Sequence, residues 1–168
     1  MDSYVGPNAL VELFTRALRL DPALFREVTD APDATKLCIG IALVAGIASA
    51  PVIGPSEGIV LPVAIVVGIL ITIGILLIES ALVWGLCRLV LRNDRSFGAV
   101  LRPLALAHAP RVAFLLVPLI GYPLGLAIVI RVWLLAAFVV ALEAVAARGW
   151  VVAVVLAIVV GALRWLAS

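Results

Sequence analysis

Residues 59–78 read Ile59-Val-Leu-Pro-Val-Ala-Ile-Val-Val-Gly-Ile-Leu-Ile-Thr-Ile-Gly-Ile-Leu-Leu-Ile78, twenty positions without a charge. About 20 apolar residues of helix cross the hydrocarbon core of a bilayer. A stretch this rich in Ile, Leu and Val therefore reads as a membrane span, and the helix is expected to continue through Glu79 to Arg88, long enough to tilt. Pro62 falls in its first turn, where a missing N–H does no harm. The whole chain agrees with that stretch. Of its 168 residues, 65% are hydrophobic and 13% charged, and the mean hydropathy is +1.30. Soluble domains hold roughly 45–50% apolar and 25% charged residues. A chain of this composition cannot cover its own surface with polar groups, which excludes a soluble globular domain. Two cysteines exclude a disulfide scaffold, and the hydrophobicity excludes disorder.

Working outward, Leu37 to Ser56 is uncharged and ends in Ala50-Pro51-Val52-Ile53-Gly54-Pro55, so a first span is expected near 35–53. Beyond Arg92-Asn93-Asp94-Arg95, a third span is expected over 103–120, with His108 and Arg111 inside it. Gly121-Tyr122-Pro123 turns the chain into a fourth, 124–146, which contains Arg131. A fifth, 149–166, is bracketed by Trp150 and Trp165 as interfacial aromatics should bracket it. The fold class is thus all-α: a polytopic bundle of five transmembrane helices over 35–168, preceded by a head, 1–34, with a short amphipathic helix.

With five spans the termini lie on opposite faces. If the N-terminus is cytoplasmic, the inner segments hold nine of the twelve basic residues and the outer ones only Arg164; Arg111 and Arg131 lie within the membrane. The positive-inside rule then favours a multi-pass protein of the cytoplasmic membrane, N-terminus inside and C-terminus outside. Cys38 and Cys87 fall near the reducing side and are expected as free thiols. Nine charges between Asp2 and Asp33 break up any signal-peptide core, and no lipidation motif is expected. The net charge of +2 gives no case for nucleic acid. Eleven of the twelve basic residues are Arg, the bias of a GC-rich bacterial genome.

In the head, Leu10, Leu13, Phe14, Ala17 and Leu18 share one helical face, while Glu12, Arg16 and Arg19 share the other. Asp21-Pro22 starts a second short helix that should end near Val28. The expectation is a hairpin lying on the membrane beneath the bundle; the alternative is a docking face for a soluble partner.

Charges at bilayer depth cost at least ~2.5–3.5 kcal/mol each and are functional candidates by default. At 1.5 Å per residue, Glu79, His108, Arg111 and Glu143 fall at neighbouring depths in the inner half, with Arg131 nearer the midplane. One reading is a polar site between spans two, three and four, with Glu79 and Arg111 paired and His108 able to titrate. The other is a buried Glu79–Arg111 clamp, with His108 and Glu143 snorkelling. Pro110 and Pro118 read as kinks that let helices pack, rather than as breaks lining a cavity. Ala42-x-x-x-Gly46-x-x-x-Ala50 offers a small-residue face, for internal packing before a dimer contact.

The stretch Ser96-Phe97-Gly98-Ala99-Val100-Leu101-Arg102-Pro103-Leu104-Ala105-Leu106-Ala107-His108-Ala109-Pro110 resembles the Ser-Phe-x-x-x-Leu-Arg…Ala-x-x-Pro start of the third span in the Yip-one domain family, the Ypt/Rab-interacting membrane proteins. Leu18-Arg19-Leu20-Asp21-Pro22 and the junction Ala146-Ala147-Arg148-Gly149-Trp150 resemble its prokaryotic-type members. The resemblance implies five spans and a cytoplasmic N-terminus. Eukaryotic relatives act in vesicle traffic and contact Rab GTPases, partly through longer heads. The head here is about 35 residues, which argues against a Rab-type GTPase partner.

Enzyme chemistry has little to work with: one His, no Cys-x-x-Cys and no metal-ligand spacing, so neither a cofactor nor a metal is expected. Two function classes remain. One is a scaffold or trafficking-type protein that contacts lipid and a protein partner or a second copy of itself. The other is a small transporter or channel built on the intramembrane charges.

Overall fold

The computed structural model describes residues 9–51, 60–89, 92, 94–116 and 124–146. Its helices are α1 (Ala9–Leu18), α2 (Pro22–Asp30), α3 (Thr35–Ala48), α4 (Leu61–Leu89), α5 (Phe97–Leu106) and α6 (Leu124–Ala146), with 3₁₀ segments at Pro32–Ala34 and Ala109–Leu116. Leu61–Leu89, Phe97–Leu116 and Ile128–Ala146 are long and apolar enough to cross a membrane; a fourth crossing results if α2 and α3, bent by 105° at Ala31, form one broken span.

The second and fourth spans agree with the expected positions to within two residues. Residues 52–53 of the first, expected over 35–53, lie outside the described residues; its described part is mainly α3, 14 residues long, about 21 Å at 1.5 Å per residue. The Ala31-Pro32 turn sets it sharply against α2, because proline disfavours helix at the residue before it. The third span begins early, at Phe97, and is not one helix. Pro110 has no N–H for Leu106 O, so the chain tightens: Arg111 N bonds His108 O at 3.0 Å, an i→i−3 spacing. The expected fifth span, Pro118 and the Gly121-Tyr122-Pro123 turn lie outside the described residues.

Phe97–Leu116 is the centre of the bundle. Buried residues make up 67% of its apolar window, against 22% for α4 and 33% for Ile128–Ala146. α3 and α4 pack against it and against each other, as do α2 and α6. The α3–α4 crossing is a glycine contact. A Cβ on Gly46 would lie 2.9 Å from Ile69 Cα, and one on Gly68 would lie 2.5 Å from Gly46 O. The Ala42–Gly46–Ala50 face is therefore spent on internal packing.

The head packs on the bundle. Leu13, Ala17, Leu24, Phe25 and Val28 belong to one hydrophobic cluster with Cys38, Leu76, Val83, Leu104 and Leu142. Burying side chains such as Phe25 and Leu24 stabilises by roughly 1.5–3 kcal/mol each, more than a face left against lipid headgroups would gain. Asp21 starts α2 by accepting from Ala23 N at 3.0 Å, and its other oxygen accepts from Arg16 Nε at 2.8 Å. That guanidinium holds the Asp21 carboxyl below the usual aspartate range. Trp133 Nε1 donates to Leu18 O at 3.1 Å, and Arg26 Nη2 donates to Glu143 Oε1 at 3.0 Å. Trp133 and Glu143 stand about 15 Å apart along α6, so the hairpin runs up the flank of that helix.

Candidate functional site

Every residue from Arg102 to Arg111 is buried. Arg102, His108 and Arg111 are 6%, 3% and 9% exposed, and polar groups taken this far from water must be bonded.

Arg102 lies in the second turn of α5, whose start is fixed by Ser96 Oγ accepting from Ala99 N at 3.3 Å. Its Nε donates to Val28 O, its Nη2 to Thr29 O, and its Nη1 to Thr35 Oγ1 at 3.4 Å. Val28 and Thr29 lie in the last turn of α2, where carbonyls run out of helical donors and the macrodipole is negative. Val28 O accepts from Ala31 N at 3.4 Å; the guanidinium adds further donors there and opposes the dipole. Sequence reasoning placed Arg102 among the loop cations outside the third span. It sits inside the bundle instead, because backbone carbonyls can satisfy a cation as a carboxylate can. Carbonyls carry no side-chain signature, so only the Arg-Pro dipeptide opening an apolar run hinted at this.

Deeper in, His108 Nε2 faces Glu79 Oε2 at 4.0 Å, an ion pair when the imidazole is protonated. Ser80 Oγ, beside Glu79, is buried without a hydrogen-bond partner among the described residues. Arg111 faces the interior, as expected of a charge at bilayer depth, and its Nη1 donates to Thr72 Oγ1 at 3.3 Å. Thr72 and Glu79 are seven residues apart, hence on one face of α4. Ala64, Gly68, Thr72, Leu76, Glu79, Val83 and Cys87 all lie on that buried face. The spacing of small and polar residues marks it, and this signal in the sequence would have pointed to Thr72.

The candidate set thus divides. Glu79, His108 and Arg111 lie along the seam between α4 and the Phe97–Leu116 segment. Glu143 is 30% exposed and bonded to Arg26 of the head, rather than snorkelling to water alone. Arg131 lies on the exposed face of α6, next to Val132 at 61% exposure. Cys38 and Cys87 are buried and free.

A third polar group holds the α4–α5 corner. Arg95 Nη1 pairs with Asp30 Oδ1 at 3.0 Å, and Arg95 O accepts from Trp84 Nε1 at 3.1 Å. The Trp84 ring meets Phe97 edge-on, with centroids 6.4 Å apart, and carries the Arg88 guanidinium 5.4 Å from its own centroid. No protein-family model matches this chain, nor does any curated protein or solved structure.

Proposed function

We propose that this chain is a five-span integral membrane protein of the Yip-one type, prokaryotic in kind. On this reading it is non-enzymatic, resides in the cytoplasmic membrane with its N-terminus inside, and acts as a membrane scaffold or membrane-organising protein. The observation that supports a scaffold is the use made of the buried cation Arg102. It donates to Val28 O, Thr29 O and Thr35 Oγ1, tying the head to the centre of the bundle instead of lining a path. The outer face of the α1–α2 hairpin, with Glu12 and Arg19 exposed, is then a rigid polar surface available to a protein partner. A Rab-type GTPase is not proposed as that partner.

Transport is the second reading. It rests on Glu79 and His108, a buried carboxylate and imidazole 4.0 Å apart, with the buried Ser80 hydroxyl next to Glu79 in the sequence. The two readings separate in paired experiments. Gentle-detergent purification should retain a partner that depends on residues 8–30. Proteoliposomes should show no ion or solute flux that is lost in Glu79→Gln. Flux that disappears with that substitution would overturn the scaffold reading in favour of transport.

A further inference from the structure

Along α4, Leu70, Leu77, Ala81 and Arg88 follow one another at spacings of seven, four and seven residues, which places all four on one line of the helix. All four are exposed, Leu70 to 66% and Leu77 to 47%. An apolar stripe about 16 Å long between Leu70 and Ala81 thus leads to a single cation in the last turn. That cation is held in place. Arg88 lies over Trp84, and Trp84 is pinned by Arg95 O on its N–H and by Phe97 on its ring. Arg16, Arg26 and Arg95 each have a carboxylate partner. Arg88 has no ion pair among the described residues, and stacking on one face of a guanidinium leaves its in-plane N–H donors free. Arg92, four residues on in the sequence, is also exposed.

We propose that this corner is a headgroup site for an anionic phospholipid, whose acyl chain lies along Leu70, Leu77 and Ala81 while its phosphodiester accepts from Arg88. A planar guanidinium matches two phosphate oxygens. With no carboxylate paired to it among the described residues, Arg88 gives preference for a headgroup that keeps a net negative charge over a zwitterionic one. The proposal rests on the membrane reading above and adds lipid selectivity to it.

The test uses the full chain, purified in detergent, stripped of lipid and offered equal amounts of phosphatidylglycerol and phosphatidylcholine, with bound lipid counted by native mass spectrometry. About fivefold preference for phosphatidylglycerol is expected, the effect of one basic residue at a membrane surface. Arg88→Gln should bring it near parity. Arg88→Lys keeps the charge without the planar fork and should retain part of it. Arg19→Gln removes an exposed head cation and should leave it unchanged. Inorganic phosphate at millimolar concentration should not displace the lipid, because it lacks the chain the stripe holds. Equal retention of the two lipids by the parent chain, an unchanged preference in Arg88→Gln, or displacement by inorganic phosphate would each overturn the headgroup site. None of those results touches the membrane reading, which fails separately if the chain stays monodisperse after all detergent and lipid are withdrawn.

Discussion

Replacing Gly68 with alanine sets one methyl group against a backbone that cannot step aside. Its Cβ would stand 2.5 Å from Gly46 O and 3.5 Å from Gly46 C. Carbon–oxygen contacts between helices settle near 3.3–3.6 Å, so α3 and α4 must separate by about 1 Å at the crossing. A gap of that size removes roughly a quarter to a half of each contact's ~0.1–0.2 kcal/mol. Over on the order of 30 atom pairs the loss is about 1–3 kcal/mol, in the range measured for overpacked cores. Gly74 provides the control. It lies on the same helix, and its added Cβ would meet nothing within 4 Å. Alanine improves helix propensity by about 0.8–1 kcal/mol at either position, so that gain cancels between the two variants. The assay is unfolding in mixed micelles followed by far-ultraviolet circular dichroism. Gly68→Ala should unfold at lower denaturant than Gly74→Ala by the equivalent of about 1–3 kcal/mol. Equal midpoints for the two would refute the glycine crossing.

Other outcomes follow from the contacts of the head. Arg102→Met should cost about 1.5–3 kcal/mol, the range for hydrogen bonds to a charged group, and should expose the 18–32 segment to limited proteolysis, whereas Gly98→Ala, facing Arg102 Nη1 at an ordinary 3.4 Å, should do so far less. The Arg26–Glu143 pair is largely exposed, at 63% and 30%, so a double-mutant cycle with Arg26→Gln and Glu143→Gln should give a coupling of only about 0.2–1 kcal/mol, fading in high salt. Asp21 has a depressed carboxyl in the folded chain, first because Arg16 hydrogen-bonds to it. Its contribution is therefore present above the ordinary aspartate pKa and is lost as pH falls through the lower, folded value. Asp21→Asn keeps an acceptor for Ala23 N but removes that charge, so the acid-side loss of protease resistance in the head should become shallower; an unchanged acid profile would count against the Arg16–Asp21 contribution.

Much of this architecture was legible because apolar length is a local property. Ile59–Ile78 and Leu124–Ala146 announce themselves without reference to the rest of the chain, and so does the amphipathic pattern of Leu13, Phe14 and Ala17. The Asp21-Pro22 start of α2 was legible for the same reason, since a cap and its helix are neighbours. Counting residues also put Glu79 near His108, which lie 4.0 Å apart, whereas Arg111 reaches Thr72, about 10 Å from Glu79 along α4. Rotation about each helix axis and contacts between distant segments were not legible. Depth alone could not show that Glu79 faces His108 or that Arg111 reaches Thr72. Nor could it show that Glu143, 117 residues from Arg26, is held by the head. The Ala31-Pro32 bend was hidden because it depends on where α2 docks.

The joining of α2 to α5 and α6 also has a consequence in time. A ribosome adds about 5–20 residues per second. Arg102 appears 74 residues after Val28, and Glu143 appears 117 residues after Arg26. The α1–α2 hairpin must therefore wait about 6–25 seconds for its last binding surface. Through that interval Leu24, Phe25 and Val28, which end with no more than 1% exposure, have no α5 or α6 to pack against. The α1–α2 hairpin is made before the helices that hold it and can reach its place only after them. During that wait a chaperone or the membrane surface has its best opportunity to hold it, and a substitution at Arg102 would prolong the exposure without altering any residue of the head itself.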